Sequence, residues 1–178
     1  RQFPHLGVQG VMMRKFGQEL IKATAGKKIH GTGAIPGGIN KNLSLAERDG
    51  FLKDLDQMLK WSRETVTLAK DYTVQHLKEL AGFGSFDSNH LSLVRADGAL
   101  DLYHGQLRAI TAEGKKIFDQ IDYQHYDQFL AEEVKPWSYM KFPFIKSLGA
   151  DRGWYRVGPL ARINLCDFID TPEAEAAR

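Results

Sequence analysis

The chain has 178 residues, 43% of them hydrophobic and 26% charged, the size and balance of one soluble globular domain with an ordinary core. Lys and Arg number 24 against 22 acidic residues, a net charge of +2, which gives no support to a nucleic-acid surface. No apolar run approaches a membrane span, and the opening residues do not read as a signal peptide.

Taken in order, "VQGVMMRKFGQELIKATAG" places Val11, Phe16, Leu20 and Ile21 near helical spacing and ends at Gly26 as a C-cap. A Gly-rich loop follows at 30–40. Ser44 and Glu47 form a capping box, S-L-A-E, that opens the longest periodic segment. Phe51, Leu55, Met58, Ser62, Val66, Ala69, Thr73, Leu77 and Leu80 step by threes and fours. They predict one amphipathic helix of about ten turns, ending near Gly82 or Gly84. Its charged residues read as a solvated face.

From His90 the period changes. Leu91 and Leu93 alternate, Asp97-Gly98 turns the chain, and Leu100 and Leu102 alternate again, the pattern of a hairpin. "GKKIFDQI" supplies a third strand with Ile117, Asp119 and Ile121 on one face, and "HYDQFLAEEV" reads as a short helix stopped by Pro136. The rest, to Asp170, is rich in aromatics, Gly and Pro with little period, which suits an irregular segment. Thr171 and Pro172 then suit the N-cap and first residue of a helix. Three stretches result: 1–84 helical with the Gly-rich loop, 90–122 a β-hairpin or meander, and 123–178 a short helix plus an irregular aromatic-rich segment. With Arg1 in place of a methionine and a helix only beginning at Thr171, the expectation is one internal fragment of a larger domain.

The stretch most like a site is "KKIHGTGAIPGGIN", residues 27–40. A dinucleotide G-x-G-x-x-G pattern fails at Pro36, and a phosphate-binding G-x-x-x-x-G-K-[ST] pattern fails where Ile39-Asn40 follows Gly38. His30 has two readings: a hydrogen-bonded histidine in a packed turn, or a histidine beside a redox or metal centre in a loop whose glycines admit close approach. The six histidines show no H-x-x-x-H or H-E-x-x-H arrangement. Cys166, the one cysteine, excludes a disulfide framework and a cysteine-based metal site within this chain. Set in "INLCDFI", it reads as an inert core residue.

Two word-like segments go further. "AGKKIHGTGAIPGGINKNLS" resembles the Gly-Lys-x-x-His, spacer, Gly-Gly segment of nickel–iron hydrogenase large (catalytic) subunits, and "GWYRVGPLARIN" resembles their Val-Gly-Pro-Leu-Ala-Arg segment. "WSYMKFPFIKSLG" points to the NAD-reducing, bidirectional class. The resemblance implies a mainly α-helical fold with a small antiparallel sheet (α+β), an incomplete part of a helical-bundle large subunit. It implies reversible H2 oxidation coupled to NAD reduction, with a nickel–iron centre whose cysteine ligands lie outside this chain, so the fragment is inactive alone. Iron–sulfur clusters in a small subunit, and flavin and NAD in diaphorase-type subunits, complete the cofactors and partners. The location is cytoplasmic, with neither nucleic acid nor membrane bound. By resemblance His30 lies on the electron path at a subunit contact, Gly37 and Gly38 pass close to the metal-bearing core, and Arg162 pairs with a buried carboxylate. Within the chain no catalytic residue or metal ligand is expected. Two alternatives stand beside this reading: a subunit of another soluble hydrogenase branch, and a metal-free respiratory-complex relative with a structural or quinone-site role.

Overall fold

The computed structural model describes residues 4–178, so Arg1 lies outside the described residues. The chain forms two compact units, the first reaching Leu77 and the second running from Lys78.

The first unit is a helical pair. Helix α1 (Pro4–Ala25) ends where Gly26 takes a φ of 81°, a conformation a Cβ disfavours, so the expected C-cap is in place. Helix α2 (Leu45–Gln75) opens with the expected capping box. Ser44 Oγ accepts from the Glu47 N–H at 3.2 Å, and Glu47 Oε2 accepts from the Ser44 N–H at 2.9 Å. The helices run antiparallel, because Phe16 packs edge-on against Phe51 with centroids 5.8 Å apart while Gln9 reaches Glu64 near their other ends. Between them a tiny hairpin pairs β1 (Ala34–Ile35) with β2 (Gly38–Ile39).

Helix α2 is shorter than its periodicity predicts. It stops at Gln75, with His76 as C-cap, and a single turn, α3 (Leu77–Leu80), follows. Two causes are visible. The half-buried stripe covers Phe51, Leu55, Met58 and Ser62, while Val66, Ala69, Thr73, Leu77 and Leu80 are exposed, so little packing supports the distal half. That half also carries Thr65, Thr67 and Thr73, whose hydroxyls bond back to carbonyls four residues earlier, an arrangement that weakens a helix.

The second unit is built on a four-stranded sheet in the order β5-β4-β3-β8. Strand β3 (Asn89–Val94) pairs antiparallel with β4 (Gln106–Ile110), which pairs with β5 (Lys116–Ile121). The two-residue β8 (Tyr155–Arg156) joins the other side of β3 in parallel. One face carries Val94 and Ile110 against Leu165 and Cys166 of α6 (Pro159–Leu165) and its C-cap. The other face carries Leu91 and Ala109 against Ile145 of a second hairpin, β6 (Leu130–Val134) with β7 (Lys141–Ile145). Helices α4 (Tyr126–Phe129), α5 (Gly149–Arg152) and α7 (Pro172–Ala177) are short.

The α+β organisation stands, but four expected segments change. Asp97-Gly98 does turn the chain, with the Arg95 N–H donating to the Ala99 carbonyl, yet the return strand is Gln106–Ile110 rather than the run through Leu102. Asp101 Oδ1 accepts from the N–H groups of Tyr103 and His104 and bends the chain first. In the third strand, Gln120 at a φ of 55° and two register shifts break strict alternation, so Ile117 and Phe118 both pack on one cluster. "HYDQFLAEEV" is helical only to Phe129 and then becomes β6, and the supposedly irregular segment supplies β7, β8 and α6. Short strands of two to five residues, with Pro143 inside one of them, give too little period to register.

Candidate functional site

The Gly-rich loop hangs from a charged clasp between the two helices of the first unit. Lys41 Nζ donates to the Ala23 carbonyl of α1 at 2.9 Å, to Glu47 Oε1 at 2.7 Å and to Glu47 Oε2 at 2.9 Å, which uses all three ammonium protons. The cation thus sits at the C-terminal end of one helix and the carboxylate in the first turn of the other, each where the helix dipole favours it. The Lys41 hydrogen bond, followed by those from Ser44, holds the Glu47 carboxyl at about 2, below its ordinary value of 4.5. The helix ends, Lys41 and Phe51 border an open groove of about 550 Å³.

Above the clasp the loop is pinned at several points. The Thr32 N–H donates to the Ala25 carbonyl and the Asn40 N–H to the Gly33 carbonyl. Lys28 pairs with Glu19 on α1. Gly31 is required by contact: a Cβ there would stand 2.6 Å from the Ala25 methyl. Gly37 is required by conformation, since its φ of 88° at the third position of Ile35-Pro36-Gly37-Gly38 is that of a type II turn.

His30, Gly37 and Gly38, the residues named from sequence, fall on this loop. His30 has a φ of 52°, is exposed, and its imidazole has no hydrogen-bond partner among the described residues, so the packed-turn reading does not hold. Added Cβ atoms at Gly37 or Gly38 meet nothing within 4 Å; Gly31 is the glycine crowded against α1, and Gly33 lies in ordinary contact with it. Ile29, at 70% exposure, and Ile39, at 63%, leave the outer surface of the loop apolar.

Arg162 is half-buried, and the buried arginine is Arg108, at 3% exposure. Its Nε and Nη2 hold both oxygens of Asp119 at 2.7 and 3.0 Å, and its Nη1 donates to Asp167 at 3.0 Å and to the Leu165 carbonyl at 3.2 Å. Burial works against the charge, but the two carboxylates outweigh it and keep the guanidinium protonated more firmly than usual. Arg108 therefore ties β4 to β5 and to the end of α6, a structural role. Its sequence signal was an arginine inside the apolar run "QLRAI", where a buried charge needs a partner. Lys41 was missed because its partner Ala23 becomes a neighbour only once the helices fold back.

Cys166 is buried, its Sγ 3.2 Å from Arg178 Nη1. Among the described residues no group of three or more His, Cys, Asp or Glu is arranged to hold a metal ion, and no helix is long and apolar enough to cross a membrane. The described residues, with Cys166 the one thiolate source, do not fit a nickel–iron centre.

No protein-family model matches the chain. It is 42% identical over 180 residues to the NAD-reducing hydrogenase HoxS subunit beta of Cupriavidus necator, spanning 98% of this chain and 37% of that protein. To a subunit of the vhu F420-non-reducing hydrogenase of Methanocaldococcus jannaschii it is 38% identical over 177 residues, 98% of this chain and 41% of that protein. A crystal structure of NAD+-reducing NiFe hydrogenase in the H2-reduced state superposes with a TM-score of 0.85 at 49% identity, over 98% of this chain and 39% of the other.

These matches correct the expected large catalytic subunit of a nickel–iron hydrogenase. The bacterial relative is named subunit beta, and neither relative's name describes a large or catalytic subunit. The function built on that identity, a catalytic-subunit fragment inactive alone, is withdrawn with it, and neither alternative accounts better for the matches. The motifs behind the expectation hold none of the cysteine ligands, so they carried the enzyme class without fixing which subunit bears them. Proteins similar to this chain over nearly its whole length are hydrogenase subunits, and the chain spans about two-fifths of their length.

Proposed function

We propose that this chain is part of a hydrogenase subunit of the kind named subunit beta in the NAD-reducing enzyme, working within a multi-subunit, cytoplasmic complex. The observation that carries this is the joint match in sequence and fold, 49% identity with a TM-score of 0.85 over 98% of the chain. On this reading nickel–iron, iron–sulfur, flavin and NAD chemistry are distributed over the assembly, and other subunits are the partners. The chain is one piece of a larger domain. That placement is supported by α1 and α2, which carry no buried residue and expose Val8, Val11, Leu52 and Val66.

Within that assembly the loop at 26–44 is a contact element, and His30 is its polar group. An exposed imidazole flanked by exposed Ile29, on a pinned backbone, is suited to donate one hydrogen bond to a neighbouring redox group on the electron path. Gly37 supplies the turn that shapes the loop, with Gly38 beside it in β2. In the complete enzyme His30→Gln should slow H2-driven NAD+ reduction by about fivefold, the scale of one hydrogen bond, with nickel and iron content unchanged. A wild-type rate would overturn the role given to His30.

A further inference from the structure

The position of His30 is not set by contacts of its own side chain, so it must be set through the backbone. That backbone can be followed outward from the clasp. Lys41 fixes the loop's end to both helices through Ala23 and Glu47. Its neighbour Asn40 bonds to Gly33 across the small hairpin, at 2.8 Å. Gly33 and Gly31 rest on Ala25, and Thr32 donates to the Ala25 carbonyl at 2.9 Å. His30 comes next, with Lys28 held by Glu19 on its other side. Every link from Lys41 to His30 is a hydrogen bond, a close contact or a covalent step, and no link passes through the exposed apolar side chains.

We propose that Lys41 is a positioning residue for His30: its three-way bridge between Ala23 and Glu47 closes the base of the loop and fixes the backbone from which the imidazole projects. The proposal rests on the role given to His30 above. A merely stabilising lysine would join two helices and leave the imidazole's work unaltered. A positioning lysine acts through His30, so its effect disappears when His30 is already gone.

The assembled enzyme tests this with Lys41→Met, Lys41→Arg, His30→Gln and the double variant Lys41→Met/His30→Gln. H2-driven NAD+ reduction and hydrogen exchange at the Thr32 and Asn40 amides are measured in each. Lys41→Met should lower the rate and speed exchange at both amides by about threefold each, the scale of one partly exposed ion pair. Lys41→Arg should restore most of both, and the double variant should be no slower than His30→Gln. A wild-type rate in Lys41→Met, or losses that multiply in the double variant, overturns the proposal and leaves His30 its role. A full rate in His30→Gln instead removes the role of His30 itself, so the two failures are told apart. If Lys41→Met does not assemble, Glu47→Gln, which keeps the shape and removes the charge, replaces it in the same comparison: a rate loss absent beside His30→Gln supports the proposal, and a wild-type rate or multiplying losses overturn it.

Discussion

The two units solve opposite problems with similar amounts of chain. In the second, Leu91, Val94, Ala109, Ile145 and Leu165 are closed to solvent on both faces of one sheet. Fully burying a side chain such as Ile145 stabilises by roughly 1.5–3 kcal/mol. In the first, no described residue is fully buried, and the two longest helices of the chain meet along a half-buried stripe. Length and regularity are thus poor guides to where stability resides. The long helices rely on caps, a lysine clasp and a cover supplied from elsewhere, while the short strands carry their own core.

The sharpest way to break this contrast is to make the units separately. Residues 78–178 should unfold cooperatively as a monomer, whereas 1–77 should show little fixed helix or self-associate. Circular dichroism and sedimentation decide, and a monodisperse, cooperatively melting 1–77 would reverse the assignment. A smaller effect lies in the second unit's core. Arg108→Met removes the buried cation from Asp119 and Asp167, leaves Asp119 with Lys116 alone, and should cost about 2 kcal/mol by urea denaturation, the scale of hydrogen bonds to charged groups. Burial raises the Asp119 carboxyl, but hydrogen bonds from Arg108 and Lys116 overcome that and hold it at about 2, below its ordinary 3.8. Its contribution is therefore complete above about pH 4 and lost as pH falls through about 2, and this acid dependence should fade in the Arg108→Met protein. The smallest expected change is Ser44→Ala, which removes the N-cap of α2 at a cost of about 1 kcal/mol and should appear as lost helical ellipticity.

What could be read from sequence divides along the same line. The capping box at Ser44, the C-cap at Gly26 and the turn at Asp97-Gly98 are local, set by a few neighbouring residues, and each is present. Periodicity overstates the length of α2 because it reports which face is apolar, not whether anything covers it. Strands β6, β7 and β8 were not legible because their pairing depends on distant partners, as when Asn89 donates its side-chain amide to the carbonyls of Arg152 and Trp154. In the candidate site, the Gly-rich loop was visible from its glycine and proline spacing, and the role of His30 rests on resemblance alone. The crowding of Gly31 by Ala25 was not legible, because it exists only after the chain folds back on α1.

The margins of the second unit's sheet bear on how the chain behaves among copies of itself. The sheet ends on one side in β8, only two residues long, and on the other in β5, bent by Gln120, whose side chain caps the Arg95 carbonyl. Lys116 starts that strand with a charge committed to Asp119. Neither edge offers a flat row of backbone groups on which a further strand could grow. Growth of fibrillar sheets is thereby closed off at both margins. Association of copies through this sheet should therefore not proceed by templated strand addition.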